Sequence, residues 1–135
     1  MANISSYLEE ALLDHVFRNT AYTTPGTVYC GLVSSTAADA DLEAGTLTNE
    51  ITDYTGDRKA ITFGAPAQVG GKATITNSAA IDFESMPSAT VAYLIVCDAA
   101  TAGNILWWLP LTENKTTNSG DTLRVPIDGI TIDLD

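Results

Sequence analysis

Leu8, Leu12 and Val16 recur at four-residue steps, and Ala11, Leu13 and Phe17 widen this apolar stripe, while Glu9, Glu10, Asp14 and Arg18 fall mostly opposite. The spacing predicts one amphipathic helix over residues 6–18, opened by a Ser6–Glu9 capping box and suited to the helix dipole by early acids and a late arginine. No sustained helical period follows. Short strand patterns take over at residues 27–33, 59–63, 72–76, 80–83, 90–98, 104–109, 122–126 and 130–134. The run at 90–98 is continuous enough in apolar residues for a central strand covered on both faces, and 99–103 turns it back into 104–109 as a hairpin. Gly70-Gly71 reads as a hairpin turn between 59–63 and 72–76, and strict alternation from Ile130 to Leu134 leaves one face buried and the other wet. Gly31 marks a bulge or a close approach of the helix. Residues 34–56 form the longest irregular stretch, the expected variable or partner-facing loop. The expected fold is mainly β: a compact antiparallel β-sandwich with one N-terminal amphipathic α-helix packed on a face or closing an end.

A chain of 135 residues with 45% hydrophobic content fits a single domain over 1–135 with its own core. Seventeen acids against six bases give a net charge of −11, and the only adjacent basic pair is Arg58-Lys59. Direct nucleic-acid binding and attachment to anionic membranes, both of which need clustered Lys and Arg, are disfavoured. The N-terminus lacks a secretory pattern, and no apolar run approaches the roughly 20 residues of a membrane span. Synthesis and first folding in a cytosol are expected. Cys30 and Cys97 each sit inside a strand pattern and are expected to be buried free thiols.

Little in the chain suggests a reaction. His15 is the only histidine, and its neighbour Asp14 points about 100° away on a helix, so the two do not form an oriented acid–base pair. Nucleophile-elbow, Walker, dinucleotide and zincin motifs are absent, and a non-enzymatic chain without cofactor is expected. The one ligand-like constellation is Asp39, Asp41 and Glu43 with Glu50 in the twelfth position, a partial calcium-loop match with Ala44 where that loop wants glycine. The alternative is a solvated acidic loop. Trp107-Trp108 carries another signal, because consecutive strand residues face opposite sides. Either one indole anchors an interface, with Tyr54 and Tyr93 treated likewise, or helix and loops cover both faces.

The opening from Tyr7 to Asn19, then Tyr22, Pro25 and Val28-Tyr29-x-Gly31-Leu32, resembles a group of small tailed-bacteriophage virion proteins commonly labelled tail fibre proteins. The likeness continues through Ala60-Ile61-Thr62-Phe63, the stretch 98–106, Pro110-Leu111-Thr112 and Gly120-Asp121-Thr122. Where that group has a Gly-Tyr-Ala-Arg-like approach to a strand, this chain has Gly56-Asp57-Arg58-Lys59. The resemblance implies a structural role in the virion, without catalysis or cofactor. The chain shows no repeats or heptads beyond the helix, so a capsid decoration or cement protein and a tail-associated fibre protein are both open. Partners on this reading are other virion proteins, capsid or tail, together with further copies in a homo-oligomer. A module of the tail that binds a host receptor or glycan is the alternative, and an exposed Trp beside acids is its expected mark.

Overall fold

The computed structural model describes residues 3–135. In chain order the elements are β1 (Asn3–Ile4), α1 (Ser6–Phe17), β2 (Val28–Ser34), α2 (Asp39–Glu43), β3 (Glu50–Ile51), β4 (Lys59–Ile61) and β5 (Ala67–Val69). Then come β6 (Lys72–Thr76), β7 (Ile81–Met86), β8 (Ala89–Cys97), β9 (Ile105–Thr117), β10 (Asp121–Val125) and β11 (Thr131–Leu134). The chain is mainly β, with antiparallel sheets and one N-terminal helix, as its sequence pattern indicates. The large sheet runs β1-β9-β8-β2-β3, with β4 also on β2; β10 pairs with β7, and β11-β6-β5 form a third sheet.

Strand alternation places the core. Val96 pairs with Trp107 and Ile95 with Trp108, so each pair lies on its own face of the large sheet. On the Trp107 face, Cys30, Leu32, Val91, Leu94 and Val96 meet Ile81, Phe83 and Met86 of β7 and Val125 of β10, so the sheets layer face to face. On the Trp108 face, Val33, Ile95, Cys97 and Ile105 are covered by Ala37 and Leu42. The 34–56 stretch is therefore not an open loop: it holds α2 and β3, and Leu42 of α2 is fully buried. Cys30 and Cys97 are buried free thiols on opposite faces, and burial pushes Cys97 up to about 12.

Several boundaries move for identifiable reasons. The N-cap is Ser5, not Ser6: its Oγ accepts the Leu8 N–H at 3.3 Å and donates to the Ile105 carbonyl at 2.5 Å. Its own N–H donates to the Leu106 carbonyl at 3.1 Å, so contacts with β9 decide between two adjacent serines. Gly70-Gly71 turns β5 into β6 and does not join the 59–63 strand to it, since β4 is taken by β2. Strand β9 runs past the expected end at 109 to Thr117, irregularly: the stretch from Pro110 to Lys115 lies opposite only Val91 to Tyr93. Pro110 has no N–H for the ladder and sits where register is lost.

Gly31 does mark a close approach, made by Ile95 and Glu50 and not by the helix. A Cβ there would lie 3.0 Å from Ile95 Cγ1 and 3.1 Å from Glu50 Oε1. Gly31→Ala is expected to cost about 1–3 kcal/mol, because both neighbours are held in packed or ion-paired positions. Chemical denaturation checks it, and an unchanged midpoint would show that the sheet yields at no cost.

Candidate assembly surfaces

Helix α1 is less buried than its pattern predicts. No residue of it is buried; Leu8 and Leu12 turn inward, whereas Leu13, Val16 and Phe17 are 58%, 61% and 77% exposed. The helix follows edge strand β1 and touches β9, so only the inward rim of its stripe meets the sheet. Between α1 and the β11-β6-β5 sheet lies a groove of about 310 Å³. Its sides include Leu8 and Leu12 from the helix and Ile75 and Ile132 from the third sheet, and Val96 and Trp107 line it from the large sheet. Every lining side chain is hydrophobic. Trp107 Nε1 is buried and has no hydrogen-bond partner among the described residues.

Neither indole offers a face to solvent: Trp107 is 5% and Trp108 4% exposed. Trp108 Nε1 donates to Glu43 Oε2 at 3.0 Å, and its ring meets Tyr93 edge-on at 6.1 Å. Tyr93 donates its hydroxyl to Asp39 at 2.8 Å, and that bond, with burial, raises its pKa. Tyr54 is buried edge-on against Phe83 at 4.9 Å, and burial, with Glu50 nearby, raises its hydroxyl pKa well above the usual range. Trp107, Trp108 and Tyr54 are buried and Tyr93 is half-buried, so these aromatics act as supports for α2 and the core. Among the described residues the large apolar side chains that project are Tyr7, Leu13, Val16 and Phe17 of α1, with Val69, Ile127 and Leu134 elsewhere on the surface.

The acidic residues suggested for calcium do not converge. Asp39 accepts from Tyr93, Asp41 Oδ2 accepts the Ala38 N–H at 2.9 Å at the start of α2, and Glu43 takes Trp108 and the Ser6 hydroxyl at 3.2 Å. Glu50 is held by Arg58, with Nε to Oε1 at 2.5 Å and Nη2 to Oε2 at 2.7 Å. Among the described residues no group of three or more His, Cys, Asp or Glu side chains is placed to hold a metal ion. His15 is exposed, and its Nδ1 accepts the Tyr22 N–H at 3.3 Å. No helix among the described residues is long and apolar enough to cross a membrane.

A second concavity, of about 480 Å³, opens between β9 and β10. It is lined by Lys115, Thr116 and Thr117 of β9, by the consecutive run from Asp121 to Pro126, and by Leu94 and Leu111. The basic residues are otherwise mostly engaged: Arg18 with Asp14, Arg58 with Glu50, Arg124 with Asp82, and Lys59 with the Thr55 carbonyl. Lys72 and Lys115 have no partner among the described residues. Nothing in the hydrophobic pattern announced this opening, because it arises where two chain-adjacent strands fail to pair.

A layered β fold with a projecting apolar helix, an apolar groove and open strand edges has the equipment of an assembly protein. The family model described as Podophage GP4 fiber I protein gp80 matches residues 3–133, so the chain belongs to that family and is a fibre-type structural protein of phage particles. No curated protein matches it.

Proposed function

We propose that this chain is a non-enzymatic, multi-copy accessory component of the exterior of a phage particle, as a tail-associated fibre protein or a capsid decoration. On this reading it folds as a single domain, is made in the host cytoplasm, and meets further copies of itself through the outer face of α1. The observation that supports the reading is the cluster Leu13, Val16 and Phe17, which stands in solvent beside a groove with hydrophobic walls. Burying a large apolar side chain is worth about 1.5–3 kcal/mol, so three in one contact offset much of the cost of association.

Val16→Asp and Phe17→Asp test this without touching the core, since both side chains are mostly exposed in the single chain. Melting temperature is expected to stay within a few degrees of the wild type. Self-association in sedimentation or light scattering is expected to fall at least tenfold, as is recovery of the chain in purified particles. Full oligomerisation and full recovery of both variants would overturn the helix-face contact. Antibodies on intact particles then decide between head and tail.

A further inference from the structure

A smaller concavity, of about 110 Å³, is lined by Tyr54, Arg58 and the β8–β9 turn residues Ala100 to Ala102. Two of its side chains are more than nine-tenths buried and have hydrogen-bonding capacity left over. Tyr54 is 7% exposed, and its hydroxyl has no hydrogen-bond partner among the described residues, although it is not sealed from the pocket. Arg58 is 5% exposed and carries five N–H donors: Nε and one on Nη2 go to Glu50, and both on Nη1 go to the carbonyls of Ala99 and Ala102. One N–H on Nη2 is left. A buried polar group without a partner is costly, so groups of this kind call for something in the space they border. The turn that forms the wall is also held fast. Ala102 has φ at +50°, a region that disfavours any residue with a Cβ, and Arg58 keeps it there: its backbone N–H donates to the Ala100 carbonyl at 3.3 Å while the guanidinium holds Ala99 and Ala102.

We propose that this pocket binds the vicinal hydroxyls of an uncharged sugar, one edge of a ring entering it. Charge sets the class of ligand. Arg58 and Lys59, whose Nζ lies 5.4 Å from the Tyr54 ring centre, are matched here by Glu50 and Asp57, so neither an anion nor a cation gains from the local field. What is left is hydrogen bonding of mixed sense: Arg58 offers only a donor, Asp57 only acceptors, and the hydroxyls of Tyr54, Thr52 and Thr101 do either. A sugar hydroxyl accepts and donates through one oxygen, and two on neighbouring carbons reproduce the bonds of the water they displace. Size limits the fit, because about 110 Å³ is well below the roughly 300–1,000 Å³ of sites that enclose a whole ligand. The Tyr54 ring is already taken, by Phe83 at its edge and Lys59 over its face, and offers the sugar no stacking. Affinity is therefore expected on the order of millimolar. No residue of α1 lines the pocket, so the site does not depend on the contact between copies proposed above.

Titration of the isotopically labelled whole protein with methyl glycosides of glucose, galactose, mannose and N-acetylglucosamine, followed through amide chemical shifts, tests the site. At least one glycoside is expected to move amides within 54–58 and 99–102 saturably, and glycerol, acetamide and acetate are expected to bind about tenfold more weakly or not at all. Tyr54→Phe is expected to weaken binding about tenfold and to melt within a few degrees of the wild type, because the hydroxyl it removes has no partner in the protein. Asp57→Ala, at an exposed position, is expected to weaken binding as well. No saturable shift with any of the glycosides would leave water as the occupant and overturn the site. Equal binding of glycerol would reduce the pocket to a crevice for any diol, and a preference for acetate or acetamide would place an anion or a carboxamide there; each overturns the sugar. Undiminished binding by Tyr54→Phe would put the sugar elsewhere on the protein and overturn the pocket. Self-association and recovery in particles are decided separately by the helix variants, so failure here leaves that reading standing.

Discussion

Arg58→Met is expected to lower unfolding free energy by about 3–5 kcal/mol, since removing one partner of a buried ion pair leaves the other charge uncompensated. The side chains of Arg58 and Glu50 are 2% and 9% exposed, so the carboxylate left behind has little access to water. More than one bond is lost. Arg58 Nη1 also donates to the Ala99 carbonyl at 2.9 Å and the Ala102 carbonyl at 2.6 Å, which ties the β8–β9 turn to β3. Methionine fills much of the volume and donates to none of these acceptors. At this chain length the loss corresponds to a fall in Tm on the order of 10–20 °C. The double variant Arg58→Met with Glu50→Met removes both charges and is expected to recover most of the loss, since apolar replacements of buried pairs are often neutral. A single variant within about 1 kcal/mol of wild type in urea unfolding would show that water reaches Glu50 and that the pair contributes as a surface one does.

What the sequence disclosed, and what it withheld, divides along the range of the interactions involved. The helix was legible because Leu8, Leu12 and Val16 repeat within one element, and β8 because Leu94 to Cys97 is an unbroken apolar run. Opposite facing of Trp107 and Trp108 followed from strand period alone, and the structure puts them in different clusters. Amphipathicity, however, says only that a stripe exists, not how much of it the rest of the chain covers; Leu8 and Leu12 are used and Phe17 is left in solvent. The cap at Ser5 depends on carbonyls of Ile105 and Leu106, a hundred residues away in the chain. Strands β1, β3 and β5 are two or three residues long, too short to show a period, and exist because a longer neighbour pairs with them. Arg58 stood out only as half of an adjacent basic pair, since nothing near it in sequence marks Glu50 as its partner. The opening between β9 and β10 is a feature of missing pairing, which no residue pattern encodes.

Asn77→Leu is expected to cost about 3 kcal/mol or more and to loosen one border of the opening between β9 and β10. Asn77 is fully buried, and its side chain makes three bonds: Nδ2 donates to the carbonyls of Ala79 and Pro126, each at 2.9 Å, and Oδ1 accepts the Ile130 N–H at 2.8 Å. Its backbone completes the clasp, donating to the Ile130 carbonyl at 3.3 Å and accepting from the Asp128 N–H at 3.0 Å. Only an amide supplies both donors and the acceptor, so a polar residue is kept where the surroundings are core. Leucine leaves the Ile130 N–H and two carbonyls without side-chain partners, at about 1–3 kcal/mol for each group that stays buried and unpaired. Pro126 and Gly129 line that opening, so exchange at 126–130 should quicken together with the fall in stability. Asn77→Asp separates the donors from the packing. It keeps an acceptor for Ile130 but aims an anion at two carbonyls, which raises the folded-state pKa of the introduced carboxyl above its unfolded value. The penalty then grows as pH rises through that raised pKa and is relieved on acidification, when the protonated carboxyl donates again. A pH-independent difference between Asn77→Asp and wild type, or a stable Asn77→Leu, would mean that water enters to satisfy these groups.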